Sequence, residues 1–179
     1  HLTGSADYLP HVAWDARATA DNLHPGDWPL LKALQNSSIS AELASKGGYR
    51  DHKTTLTASI TKLRGNWRKQ PLSGNAAITL DGTNLDLTAL DLRLGDNHLT
   101  AGGKLHGDTL DLDYTADAGQ LAAFYPGLGG SLSGKGKLGG SLKTPTIRSQ
   151  LSGKNLAWGA HKIASLHADL DTAHKPGGS

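Results

Sequence analysis

Residues 84–95 read NLDLTALDLRLG and residues 110–116 read LDLDYTA, so that leucine recurs at nearly every second position. Ile78, Leu80 and Leu99 continue the pattern on either side of the first stretch. A period of two places these side chains on one face of a β-sheet, with Asp, Thr, Asn and Lys on the other. The sequence therefore predicts a sheet with one apolar face, and function depends on what covers it.

Turn signals divide this region into four predicted strands, at about 76–81, 83–94, 98–106 and 109–116. The joints are Asp81-Gly82, Gly95-Asp96-Asn97 and Gly107-Asp108, which are combinations typical of tight hairpins. We therefore expect successive antiparallel strands.

The second of these strands contains a change of phase. Its first two leucines have odd numbers and its last three have even numbers. A β-bulge near Thr88 or Ala89 would keep all five on one face. Without a bulge, the last three leucines would lie on the opposite face of the sheet from the first two.

The rest of the chain predicts further strands and two short helices. Residues 8–21, 39–43 and 56–60 alternate, whereas Gly47-Gly48 and residues 64–71 indicate turns. The first helix begins near Pro29, with Asp27 as a possible cap, and carries Leu30, Leu31 and Leu34. The second covers residues 118–125 and ends at Pro126-Gly127.

The composition excludes several classes of site. The chain has no Cys, which removes disulfides, thiolate nucleophiles and Cys-based zinc sites. The formal charge of +2 comes from scattered Lys and Arg and does not indicate nucleic-acid binding. No run approaches the roughly 20 apolar residues of a membrane-spanning helix, and no signal peptide is present. Because the chain also lacks Met, we interpret it as a fragment of a larger protein.

Glycine-rich motifs that suggest nucleotide binding fail their context tests. Residues 134–139 match GxGxxG, but more glycine and another strand follow where a helix is required. Residues 129–135 begin a Walker A pattern, yet Gly136 stands where Ser or Thr should bind magnesium. Glycines in a curved strand explain both motifs better.

Polar residues do not form a recognisable catalytic or metal-binding pattern. The nine His residues include no HExxH motif and no i, i+4 pair on a predicted helix. The carboxylates alternate with leucines, as on the solvated face of a sheet, and the serines cluster in predicted Leu-Ser-Gly turns. We predict no catalytic residues, no cofactor and no metal site, and hence no enzyme.

The apolar face has two interpretations. It could be the inner face of a closed stack, with a purely structural or adhesin-like role. Alternatively it could line an open hydrophobic groove, because long helices to cover it are missing and aromatic residues are few. The residues predicted to line such a groove are Trp14, Ile39, Leu43, Leu56, Ile60, Ile78, Leu80, Leu85, Leu87, Leu90, Leu92, Leu94, Leu99, Leu105, Leu110 and Leu112.

The glycine-rich stretch at residues 125–156 resembles the repeats of the TamB family, in the AsmA-like superfamily. The connector at residues 22–34 is similar in kind to that at 118–130, which extends the resemblance over most of the chain. The residues that carry it are Pro126, Gly127, Leu128, Gly130, Leu132, Gly134, Gly136, Leu138, Gly140, Leu142, Pro145, Ile147, Leu151, Gly153 and Leu156.

The resemblance implies an elongated all-β fold, a curved sheet folded on itself like a taco around a hydrophobic groove. We expect one such domain over residues 1–170 and a flexible tail over 171–179. The family is associated with outer-membrane protein and autotransporter assembly and with phospholipid movement. It implies a periplasmic location in a Gram-negative bacterium, an inner-membrane anchor outside this chain, and a TamA-like outer-membrane barrel partner.

Overall fold

A computed structural model describes residues 1–7, 11–24, 37–125 and 127–172 of this chain. They form one 11-stranded, curved, open antiparallel sheet in which each strand pairs with the next along the chain. The strands are β1 (Leu2–Asp7), β2 (Val12–Leu23), β3 (Ser38–Arg50), β4 (Lys53–Trp67), β5 (Gln70–Asp81), β6 (Asn84–Leu94), β7 (Asn97–His106), β8 (Thr109–Ala118), β9 (Leu128–Ser141), β10 (Pro145–Trp158) and β11 (His161–Asp171).

The predicted hairpins in the central region are confirmed, and their turns are short. Two residues separate β5 from β6, β6 from β7, and β7 from β8. Each turn begins with a glycine at positive φ, namely Gly82 (φ 64°), Gly95 (φ 56°) and Gly107 (φ 61°). Glycine adopts this conformation without the strain that a Cβ would cause, so these turns fix the register of four strands.

The predicted bulge in β6 is also confirmed. Ala77 pairs with Ala89 and Ile78 pairs with Leu87, which leaves Thr88 as the extra residue. The Thr88 hydroxyl donates a hydrogen bond of 3.0 Å to the Ala77 carbonyl. All five leucines of β6 consequently lie on the same face of the sheet.

The turn predictions at residues 47–48 and 64–71 are wrong. Gly47 and Gly48 lie inside β3, and the turn follows at Asp51 and His52, which both have positive φ. Residues 64–71 mostly belong to β4 and β5, and the turn between them comprises Arg68 and Lys69 alone. Positive φ at both residues is the geometry of a tight hairpin, and it lets the polar sequence on either side remain paired.

The prediction of two short helices is not borne out. The first falls mainly on residues 25–36, outside the described residues. The second is a single 3₁₀ turn, Leu121–Ala123. Strand β8 extends to Ala118 and leaves few residues for a helix. The Phe124 carbonyl also accepts a hydrogen bond from Arg68 at 3.2 Å, a long-range contact where a helix would continue.

Very little of the described chain is buried. Leu94 and Ala123 are its only buried hydrophobic residues, at 8% and 7% exposure. The edge strand β11 is exposed at every position except Ala168. Within the described ranges, no helix has the length and apolar character needed to cross a membrane.

Candidate functional site: an apolar face across the sheet

The antiparallel register gathers the aliphatic side chains on one side of the sheet, called here the apolar face. Directly paired residues in neighbouring strands point to the same side, so each pairing extends a row across the sheet. One row crosses five strands through Leu56, Leu80, Leu85, Leu105 and Leu110. The face is therefore continuous across strands, as the alternation indicates.

All of the residues predicted to line a groove lie on this apolar face. Trp14, Ile39 and Leu43 lie on it in β2 and β3, and the others lie on it between β4 and β8. Most are half-buried; Leu94 is buried and Leu43 is exposed. Their role in holding cargo stays a prediction.

The opposite side of the sheet, the polar face, carries the charges. Cross-strand ion pairs join Lys104 to Asp86 at 3.3 Å and Lys137 to Asp111 at 2.7 Å. Asp91 lies 3.0 Å from the Nε2 atom of His98. The hydrogen bond and charge of Asp111, with the charge of Asp113, raise the pKa of Lys137. The alternating carboxylates thus belong to a solvated face.

Two aromatic side chains lie across the apolar face over glycines of the next strand. A Cβ on Gly47 would come within 2.3 Å of the Trp14 ring, and the Trp14 indole N–H donates to Ser45 at 3.0 Å. Tyr114 pairs with Gly136, which in turn pairs with the buried Ser149. The Tyr114 and Ser149 hydroxyls meet at 2.5 Å. The interpretation of Gly47 as a turn residue missed this packing role.

The repeated Leu-Ser-Gly segments lie within strands, contrary to the expectation of turns. In β9 and β10 they pair with each other, with Leu132 opposite Gly153 and Gly134 opposite Leu151. A Cβ on Gly134 would approach Leu151 Cδ2 to 2.5 Å. Each leucine therefore lies where the partner strand has no side chain.

A segment after β8, residues 119–125 and called here the strap, folds against one end of the apolar face. The Gln120 amide donates to Asn97 Oδ1 at 2.9 Å. The buried Asn97 side chain also donates to the Leu94 carbonyl at 2.9 Å. Arg68, in the turn between β4 and β5, bonds the Phe124 carbonyl. The strap thus reaches back along the ends of β4–β8.

A hollow of about 500 Å³ lies beside the strap. Three of its wall residues, Leu92, Leu94 and Leu99, are among the predicted groove residues, whereas others, which include Trp67, Leu72 and Phe124, are not. Trp67 and Leu72 lie in or next to the stretch interpreted as a polar turn. No local pattern reveals that a segment beginning at residue 119 packs near the ends of β4 and β5.

Neither nucleotide-binding motif has the required context. Residues 134–139 lie in the middle of β9, and β10 follows without a helix. In the described part of the chain, no three His, Asp or Glu side chains gather closely enough to hold a metal ion. The arrangement of side chains on the apolar face is suited to binding apolar groups.

Comparison with known proteins gives a family match over nearly all of the chain. The profile of the family described as "TamB, N-terminal domain" matches residues 1–178. "Translocation and assembly module subunit TamB" of Haemophilus influenzae is 26% identical over 158 residues, which cover 87% of this chain. They cover 12% of that relative, so the chain spans about an eighth of its length. No solved structure matches.

Proposed function

Because this chain belongs to the family of TamB N-terminal domains, we propose that it is a non-enzymatic segment of a translocation and assembly module. Its apolar face forms a hydrophobic groove that shields or conducts apolar cargo through the periplasm between the inner and outer membranes. The cargo consists of outer-membrane protein or autotransporter strands, or of phospholipid acyl chains. Through the full-length protein, the segment works with a TamA-like outer-membrane barrel.

The observation that carries this proposal is the continuity of the half-exposed apolar face. Its paired leucines extend over several strands, while Leu94 and Ala123 are the only buried hydrophobic residues in the described part of the chain. At about 25 cal/mol per Å², covering such a surface with an acyl chain or an apolar strand contributes several kcal/mol. A face of this kind binds apolar chains without a specific chemical motif.

Charge insertion on the two faces tests the proposal. In the full-length protein, Leu92→Arg and Leu112→Asp place a charge on the apolar face and are expected to abolish complementation of an outer-membrane assembly defect. Thr100→Arg and Thr115→Asp place the same charges on the polar face, where Thr100 pairs with Asp91 and Thr115 with Lys135. These controls should complement normally, and far-UV circular dichroism should stay β-like in all four.

Site-specific photo-cross-linking tests the same face without adding a charge. A photoreactive residue at Leu112 should capture lipid or unfolded outer-membrane protein, whereas one at Thr115 in the same strand should not. Normal complementation by both Leu92→Arg and Leu112→Asp would contradict the groove proposal. Absence of cargo at Leu112, with no lipid in native mass spectrometry, would favour a closed structural stack.

We also propose that the isolated chain associates with itself through the edges of its sheet. Strands β1 and β11 each pair with a single neighbour among the described strands. Unpaired strand edges promote edge-to-edge association. We expect sedimentation velocity to detect self-association that increases with concentration; a strictly monomeric species at high concentration would contradict this.

A further inference from the structure

The two long margins of the sheet differ in the residues that their turns carry. Because successive strands are antiparallel, the turns alternate between one margin and the other. One margin, called here the aromatic rim, contains the strap and turns 68–69, 95–96 and 159–160. The opposite rim contains turns 51–52, 82–83, 107–108 and 142–144. We propose that the aromatic rim docks on an anionic membrane surface, a contact that goes beyond the cargo role of the apolar face.

The most exposed aromatic rings lie on the aromatic rim. Trp158, next to turn 159–160, is 71% exposed, and Tyr125 and Phe124 in the strap are 60% and 48% exposed. The Tyr125 carbonyl accepts a hydrogen bond from the Leu128 amide at 3.2 Å, and Leu128 pairs with Trp158. The strap and the β10–β11 hairpin therefore bring their aromatic residues near each other. Tryptophan and tyrosine are enriched where a bilayer meets water, since each combines an apolar ring with a polar group.

On the opposite rim, the aromatic residue Tyr49 is engaged within its own hairpin. Its hydroxyl lies 3.3 Å from Nδ1 of His52. The two rings meet edge to face, with 6.5 Å between their centroids. Leu142, in the β9–β10 turn, is exposed but has no side-chain polar group to place at an interface. The aromatic side chains best placed to enter a bilayer therefore belong to one rim of the described sheet.

The charges of the two rims differ in a way that favours the same surface. Within two residues of its described turns and of the strap, the aromatic rim carries four cations and two carboxylates, namely Arg68, Lys69, Arg93, Lys162, Asp96 and Asp117. The corresponding residues of the opposite rim are balanced, namely Arg50, Lys53, Lys143, Asp51, Asp81 and Asp108. Basic side chains close to anionic lipid are attracted to it, so the aromatic rim has the complementary charge.

The layout of the aromatic rim suits a bilayer better than a folded partner. Lys69, Tyr125 and Trp158 lie on or beside three different connections, and successive turns on one rim are about 10 Å apart along the sheet. A folded partner would need a surface shaped to all three, whereas a fluid bilayer adjusts to side chains at different heights. Among the described residues, the Lys69 and Lys162 ammonium groups have no hydrogen-bond or ion-pair partner, so both are available to lipid headgroups.

Tryptophan emission provides the first test, because Trp158 lies on the aromatic rim. In the purified chain with Trp14, Trp28 and Trp67 changed to Phe, Trp158 is the one remaining tryptophan. Its emission should shift to shorter wavelength with vesicles of mixed phosphatidylglycerol and phosphatidylcholine, and not with vesicles of phosphatidylcholine alone. An equal shift with both kinds of vesicle, or no shift with either, would overturn the proposal.

Charge reversal on the two rims provides the second test. Lys69→Glu combined with Lys162→Glu should weaken co-sedimentation with the mixed vesicles about tenfold or more. Arg50→Glu combined with Lys143→Glu gives the same net charge on the opposite rim and should bind as the parent chain does. Equal losses in the two double variants would overturn the proposal, because binding would then follow net charge alone.

Two controls separate this docking from the proposed function and from an acidic protein partner. Leu112→Asp, which tests the groove, should still bind vesicles. Loss of binding in Leu112→Asp without loss in the Lys69 and Lys162 double variant would assign the contact to the apolar face and overturn the proposal. Poly-L-glutamate should not shift Trp158 emission, because it offers charge without an apolar layer. A shift would favour an acidic protein surface and overturn the assignment to a bilayer.

Discussion

The central strands β5–β8 and the edge strand β11 carry the same alternation of apolar and polar residues, but they bury it to very different extents. In β6, Leu94 is 8% exposed beneath the strap, whereas in β11 Leu166 and Leu170 are 36% and 45% exposed. The central strands have a neighbour on both sides, and β11 has one within the described sheet. The alternation therefore determines which face a side chain lies on, and the surrounding elements determine how far that side chain is buried.

Exchanging Leu90 with Asp91, as Leu90→Asp together with Asp91→Leu, should make the central strands resemble the edge, and it is the largest effect we expect. The exchange keeps the composition of β6 but places a leucine on the polar face and a carboxylate on the apolar face, where Leu90 pairs with Ala76 and Ala101. It should lower the free energy of unfolding by on the order of 3 kcal/mol or more. Urea denaturation measures this loss. Deleting Thr88 instead leaves the five leucines in unbroken alternation on one face and removes the bond to Ala77, so it should cost only about 1 kcal/mol; equal losses would contradict the importance of the common face.

Truncating one leucine in each region sharpens the comparison. Leu94→Ala should lower the free energy of unfolding by about 2–3 kcal/mol, because it leaves a cavity at a buried position. Leu166→Ala in β11, where the side chain is 36% exposed, should cost about 1 kcal/mol or less. Urea denaturation of both variants gives the difference. Similar losses would mean that β11 is covered in solution.

The strap's attachment predicts an intermediate and local effect. Asn97→Ala removes a buried amide that bonds both Leu94 and Gln120, and it should cost about 1–2 kcal/mol. Hydrogen exchange should accelerate at residues 119–125 before it accelerates in the central strands. Asn84, whose exposed side chain accepts from Gly107 at 3.2 Å, provides the control. If Asn84→Ala accelerates exchange in the strap equally, Asn97 is not its anchor.

The smallest effect that we expect is the contribution of the Lys137 ion pairs on the polar face to stability, and this contribution should depend on pH. Lys137 has a pKa raised above 10.5 by Asp111 and Asp113, so its pairing stabilises the folded state below that value. The contribution should disappear as the pH rises through the raised value. Thermal unfolding of the parent chain and Lys137→Gln should show a small difference near neutral pH that closes in strong alkali. A difference that persists unchanged there would contradict this ion pair.

The sequence predicts the local features of the sheet well. Glycine turns at residues 82, 95 and 107, the change of phase around Thr88 and the common face of the leucines all follow from neighbours along the chain. Features that depend on distant neighbours were missed. Gly47 resembles a turn residue until Trp14, 33 positions earlier, is placed over it.

The strap illustrates the same limit at the candidate site. Its sequence, GQLAAFY, is compatible with a helix, but its polar groups bond Asn97 and Arg68 from other hairpins. These contacts decide that only one 3₁₀ turn forms, and they shape the hollow. Half of its six principal wall residues, Trp67, Leu72 and Phe124, therefore could not be assigned from periodicity.

The reciprocal pairing of the Leu-Ser-Gly segments in β9 and β10 bears on how such a sheet could grow. In the antiparallel arrangement Leu132 opposes Gly153 and Leu151 opposes Gly134, so the motif is complementary to its own copy. Tandem duplication of a hairpin would supply a strand that already matches the one it was copied from. A gene could thereby lengthen the sheet in steps, with no new interface to evolve at each addition.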